Sequence, residues 1–229
     1  MTAWQLVRRL ILVKLSGKPM NKQLHYINDP LCGWCYAAAP LISAAAEIPQ
    51  LNIQLHCGGL WINEHRRPLG KALRDYVKPL DERIQLLTGQ PFGERYFNEL
   101  LLDNRRVLDS EPLIHAMLAV EKAGGSALTM LQRIQQTHYR DGIWTGSGAV
   151  LAELAAEQSI STEQFIRAKE QVNVVAHMAA TQKLMARLGV SGYPSIVLQM
   201  DDSWQVIALN SFLGKPDAFK AQLEKTMSN

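Results

Sequence analysis

Cysteine is scarce in this chain. Three among 229 residues is an odd count, which does not suit the paired bridges of small secreted domains, and a chain of this length can bury enough core to fold without them. Long apolar runs are missing too. Near the N-terminus "LILV" follows Arg8 and Arg9 but is stopped by Lys14, well short of the roughly 7 to 15 apolar residues of a signal peptide, and no small-residue cleavage site follows. No other stretch approaches the roughly 20 residues that span a bilayer. The expectation is a cytoplasmic protein, with residues 1–19 a leader or disordered extension. A dominant charge sign is also absent: 24 Lys and Arg face 21 Asp and Glu, a net charge of +3. These are spread along the chain, which gives no reason to expect nucleic acid or a membrane surface as partner. With 47% hydrophobic and 20% charged residues, the composition is that of an ordinary globular protein.

Two of the three cysteines stand together in "NDPLCGWCYAAAP", residues 28–40. Before them, "QLHYIND" (23–29) alternates and is rich in strand formers. After them, "CYAAAPLISAAAEI" is alanine-rich and helical, with Pro40 a kink within it. "LNIQLHCGGL" (51–60) is a second strand ending in glycines. Strand, helix, strand in so short a space is a βαβ unit with parallel strands. Segments with helical periodicity then dominate up to "LMARLG", with no fixed-period repeat. Finally "SGYPSIVLQM" and "SWQVIALN" are strands joined through Asp201 and Asp202, and "KPDAFKAQLEKTM" is an amphipathic helix. The expected fold is α/β: a thioredoxin-like core (βαβ…ββα) split by an all-helical insertion. Residues 20–66 form its first half, 67–187 the insertion and 188–229 its second half.

Three readings of Cys32 and Cys35 compete. A structural staple is disfavoured by the odd cysteine count and a reducing compartment. A metal site wants four ligands; His56 and Cys57 lie nearby in sequence, but no second ligand pair has zinc-finger spacing, and no metal is expected. A redox pair suits the position. Cys32 falls at a helix N-terminus, whose free N–H groups and dipole favour a thiolate, and Cys35 stands almost one turn further along, within reach of the first sulfur. Such a pair attacks a disulfide through Cys32 and releases product through Cys35. Gly33 allows close backbone approach, and Trp34 presents an aromatic face.

Tyr193-Pro194, at the mouth of a strand, is a site for a cis peptide that would expose the Tyr193 backbone to an extended substrate chain. Other residues have plainer readings. Cys57 reads as a small buried hydrophobe. His25 and Asp29 flank the active-site turn, where they could act on protons near Cys35, but His25 reads more plainly as a strand histidine with ordinary hydrogen bonds. Trp61, Tyr96, Tyr139 and Trp144 read as core that could also line a groove above the thiols.

"INDPLCGWCY", the "GGL" after the second strand, "TGQPFG" (88–93), "DSEP" (109–112) and "LGVSGYPSIVL" (188–198) resemble the DsbA-like thioredoxin-fold proteins. They are most similar to the branch described as predicted protein-disulfide isomerases with a CxxC motif, near the FrnE-type proteins. The resemblance runs from about residue 23 to the C-terminus. It implies a thiol-disulfide oxidoreductase with Cys32 as nucleophile, Cys35 as resolving cysteine and Pro194 as the cis-proline. Its partners would be protein or small-molecule thiols and disulfides. No cofactor is implied, with glutathione a candidate co-substrate. Gly33-Trp34 departs from the Pro-His of strongly oxidising relatives, so a milder potential is expected. Two alternatives remain. One is a glutathione-dependent isomerase or transferase of the kappa or chromene-carboxylate isomerase type, although these place serine at the catalytic position. The other is a non-catalytic thioredoxin-fold binding protein.

Overall fold

The computed structural model describes residues 22–228; the expected leader at 1–19 lies outside them. Four strands form one sheet in the order β2-β1-β5-β6: β1 (Lys22–Asn28), β2 (Leu51–Cys57), β5 (Ser195–Met200) and β6 (Ser203–Ile207). β1 pairs with β2 in parallel and with β5 antiparallel, and β5 and β6 form a hairpin. Asp201 turns it with φ 49°, a left-handed conformation that aspartate tolerates better than most residues. β1 is central and covered on both faces, so Leu24 through Asn28 are all buried. Its alternation of residue type therefore does not separate core from solvent: His25 and Asn28 are buried with partners.

α1 (Gly33–Ala46) crosses between β1 and β2. It packs its small alanines together with Leu41 and Ile42 into the core and lies against the C-terminal helix α9 (Pro216–Ser228). Pro40 stays inside α1 without ending it.

Between β2 and β5 come α2 (Lys71–Thr88), α3 (Glu94–Asn98), α4 (Glu111–Lys122), α5 (Ala127–Gln135), α6 (Gly148–Ala156), α7 (Thr162–Lys169) and α8 (Val174–Leu188). Local chemistry marks their ends. Ser126, Ser161 and Asn173 accept the N-terminal N–H groups of α5, α7 and α8, Ser161 in a capping box with Gln164. Gly89 and Gly189 close α2 and α8 with positive φ. A short antiparallel ribbon, β3 (Arg67–Pro68) with β4 (Val107–Leu108), sits among these helices, and α5 runs into a π-helical turn at Gln136–Arg140.

The segment 88–93 clamps this helical layer onto α1. Gln90 donates to the Tyr36 carbonyl (2.9 Å), the Tyr36 hydroxyl donates to the Pro91 carbonyl (3.0 Å), and the Tyr36 ring stacks on Tyr139 and meets Phe92 edge-on. Aromatic packing thus fixes the helical layer over the first turns of α1.

Candidate active site

β1 ends at Asn28 and the chain turns through Asp29, Pro30 and Leu31 into α1. Cys32 is the N-cap residue, with extended φ and ψ, and no side chain caps the helix. The helix N-terminus thus opens at Cys32 with no capping side chain, a setting that favours an anion. Cys32 is 6% exposed, and its thiol donates to the Tyr193 carbonyl at 3.6 Å.

The Tyr193-Pro194 peptide bond is cis. Two contacts hold Tyr193 in place. Its ring packs on Gly58, where a Cβ would collide with it, and Gln182 of α8 donates to both the Tyr193 hydroxyl and the Gly58 carbonyl, each at 3.0 Å. Glycine at 58 is thus what lets the ring close over the end of β2.

Cys35 is fully buried behind Cys32. The Asp29 N–H points at its sulfur from 3.5 Å, and the Tyr26 hydroxyl donates to its carbonyl. Burial pushes the Cys35 thiol up, and its hydrogen bond with Cys32 adds to the effect. The three cysteines are unbridged. Cys57 is also buried, its sulfur 3.6 Å from Asn28 Oδ1 and 4.0 Å from Met117 Sδ; burial raises this thiol as well.

Asp29 is fully buried beside the pair. Its carboxylate accepts from Leu31 N–H (2.9 Å), Leu60 N–H (2.7 Å) and the Ser110 hydroxyl (2.9 Å). Burial raises it to about 6, with these three donors working in the opposite direction. Ser110 also accepts the Trp61 N–H, so one hydroxyl joins the start of α4, the loop after β2 and the active-site turn.

A cavity of about 230 Å³ opens on the other side of Cys32, walled by Leu31, Trp34, Trp61, Val77 and Leu80. Tyr96 and Tyr139 line it, as expected for a groove near the thiols, whereas Trp144 lies apart in a different hollow, beneath the Arg106 guanidinium. Asp81, from α2, is buried at the floor. His25 turns away from the thiols: it bonds His56 and Gln199 (both 2.9 Å) and stacks on Trp204. Burial lowers both histidines, His56 to about 4. Among the described residues no group of three or more His, Cys, Asp or Glu is placed to hold a metal ion, and no helix is long and apolar enough to cross a membrane.

Ser110, Gln182 and Asp81 escape sequence reasoning. Ser110 lies in the "DSEP" segment without a role being read for it, and Asp81 leaves a trace of another kind. It stands in the helical register of Val77 and Ile84, where an apolar residue would be expected.

A thiol at a helix N-terminus, a second thiol buried one turn on, and a cis-proline loop facing the first define a dithiol-disulfide exchange protein on a thioredoxin-like fold. The DSBA-like thioredoxin domain matches residues 25–215, and the chain belongs to that family. Among solved structures it is similar to the cytosolic disulfide reductase DsbM from Pseudomonas aeruginosa, with 42% identity, TM-score 0.83, and 90% of this chain and 98% of that one covered. The same enzyme with GSH matches equally, covering 90% of this chain and 100% of the other. A putative protein disulfide isomerase from Nitrosomonas europaea shares the fold, with TM-score 0.72 at 24% identity over 91% and 98% of the two chains. Comparison with curated proteins found no match. The protein is a thiol-disulfide oxidoreductase.

Proposed function

We propose that the protein works as a cytoplasmic disulfide reductase that spends glutathione, with Cys32 attacking and Cys35 resolving. The observation that carries this is the placement of Cys32 against the Tyr193 carbonyl with Cys35 buried behind it. An incoming disulfide meets one sulfur and cannot reach the other. The likeness to a cytosolic disulfide reductase, also solved with GSH, supports the direction, the compartment and the reductant.

In the first step the Cys32 thiolate attacks a substrate disulfide and forms a mixed disulfide, releasing one substrate thiolate. The Tyr193 carbonyl offers an acceptor to an extended substrate backbone. In the second step Cys35 loses its proton and attacks the Cys32 sulfur, which frees the second substrate thiolate and closes a Cys32–Cys35 disulfide. Asp29 is the acceptor for the Cys35 proton, the role suited to a buried carboxylate raised toward neutrality beside a buried thiol. Two glutathione thiols then reopen the disulfide and leave as oxidised glutathione. The cycle balances without a metal or organic cofactor.

Equilibration in glutathione redox buffers, read by thiol trapping and mass spectrometry, tests the reading. A Cys32–Cys35 disulfide with a potential near about −270 mV is expected, against about −120 mV for an oxidant of other proteins. Replacing Cys35 with Ala should trap substrate on Cys32. A protein that forms no Cys32–Cys35 bond anywhere in that range is not working by this cycle.

A further inference from the structure

α2 presents an apolar stripe to the thioredoxin core, and one member of it is a carboxylic acid. Asp81 is 4% exposed, one turn from both Val77 and Ile84. Its Oδ2 accepts the Tyr96 hydroxyl at 2.9 Å. Its other oxygen lies against the first residue of α1: a Cβ on Gly33 would stand 2.8 Å from Oδ1. Asp81 and Cys32 line the same cavity, so the acid comes from the helical layer and the thiol from the core. Packing does not call for a carboxyl at this point, and burying one costs free energy that its one hydrogen bond from Tyr96 offsets only in part.

The groups facing Asp81 offer it no counter-charge. They are Cys32 from α1, Tyr96 from α3, His138 and Tyr139 from the π turn, and Tyr76 on its own helix. Burial pushes the Tyr96 and Tyr139 phenols up and lowers His138 to about 3, so these groups stay neutral at ordinary pH. Among the described residues no lysine or arginine lines the cavity. A thiolate and a carboxylate in one apolar hollow oppose each other, and the single helix N-terminus favours one anion there.

We propose that Asp81 is a positioning residue for Cys32, the two sharing one negative charge at the N-terminus of α1, so that Asp81 takes up a proton as Cys32 gives one up. This rests on Cys32 being the attacking thiol. Before attack, Cys32–SH with Asp81–COO⁻ exchanges for Cys32–S⁻ with Asp81–COOH, and the charge in the cavity does not change. The thiolate then attacks R–S–S–R′, forming Cys32–S–S–R and R′–S⁻. Once Cys32 loses its charge in the mixed disulfide, Asp81 releases its proton and returns to Asp81–COO⁻ while the leaving thiolate takes up one proton, giving R′–SH. Burial holds Asp81 at about 7, where a carboxyl can do both. Gly33 belongs to the same device, because any side chain there would push the carboxyl off the helix terminus.

The test is the rate at which iodoacetamide alkylates Cys32 between pH 5 and 10, read by peptide mass spectrometry in full-length protein carrying Cys35→Ser. The parent is expected to rise in two steps, as coupled groups do. Asp81→Asn should rise in one step and react about tenfold faster at pH 8, the size of effect one nearby like charge produces. Tyr96→Phe keeps the acid and removes its donor, so it should retain two steps with the lower one at higher pH. Superimposable profiles for the parent and Asp81→Asn, or for the parent and Tyr96→Phe, would overturn the proposal. Alkylation requires no disulfide substrate, so that result leaves the exchange cycle standing. A Cys32 that is unreactive in every form would instead remove the cycle itself.

Discussion

Two buried acids flank the CxxC pair, one from each part of the molecule, and they are provided for differently. Asp29 belongs to the thioredoxin core and is the more deeply buried, yet three donors hold it near 6. Asp81 belongs to the helical layer, has the Tyr96 hydroxyl as its donor, and stands near 7. Depth of burial alone would place them the other way round. Donors oppose burial at both sites, three at Asp29 and one at Asp81, because each bond to the charged form offsets part of the desolvation that burial imposes. In the proposed cycle the core acid is the acceptor for the Cys35 proton, and in the proposed coupling the acid of the helical layer shares its charge with Cys32.

Removing the core acid should have the largest effect. Asp29→Asn takes away the acceptor and sets an amide NH₂ among three donors, so resolution is expected to slow about 100-fold, with Cys32 mixed disulfides accumulating in single-turnover traces. In the parent the same step should weaken as pH falls through about 6, where Asp29 takes a proton from solvent. An unchanged resolution rate in Asp29→Asn would remove the distinction between the two acids.

A second difference is thermodynamic. Both acids are raised in the folded state above their unfolded value of about 4, so folding binds protons at each. That contribution to stability is complete below about pH 4 and is lost as pH rises through the folded values. Asp81→Asn should accordingly gain on the parent between pH 5 and pH 8, by about 2 kcal/mol in denaturant melts. The gain from Asp29→Asn should level off nearer pH 6. Equal gains over the same window would mean that the donors do not separate the two sites.

The smallest change expected comes from Ser110→Ala. It removes one of the three Asp29 donors and leaves the Trp61 N–H without its acceptor, at a cost of about 1–2 kcal/mol. The pH 6 inflection of the resolving step should move upward. An inflection that stays in place would show that the two backbone donors are enough.

How much of this was legible beforehand depends on the range over which each feature is determined. The core strands and the helix after Cys32 follow from local patterns, and the βαβ…ββα order is the one observed. The CxxC at the helix start was likewise readable within a few residues, whereas the Tyr193-Pro194 cis bond followed only once the fold placed that loop opposite the helix. The β3–β4 ribbon was not. Two residues on each side, Arg67–Pro68 and Val107–Leu108, are too few to show any period, and they pair only because tertiary packing brings them together. The groups that surround the thiols were hidden for a related reason: Ser110 is 81 positions from the acid it serves, and Gln182 lies 124 positions from Gly58. Asp81 alone could have been suspected, as a charge out of place on an apolar stripe.

Cys57 fixes how many electrons the protein can carry. Sealed against Asn28 and Met117, with burial holding it as a thiol, it stays out of exchange while the chain is folded. A native molecule should thus yield one equivalent, Cys32, to a thiol reagent readily, and Cys57 only on denaturation. Each turn of the cycle then moves one electron pair, with no third sulfur to divert it into a scrambled bridge or a dimer.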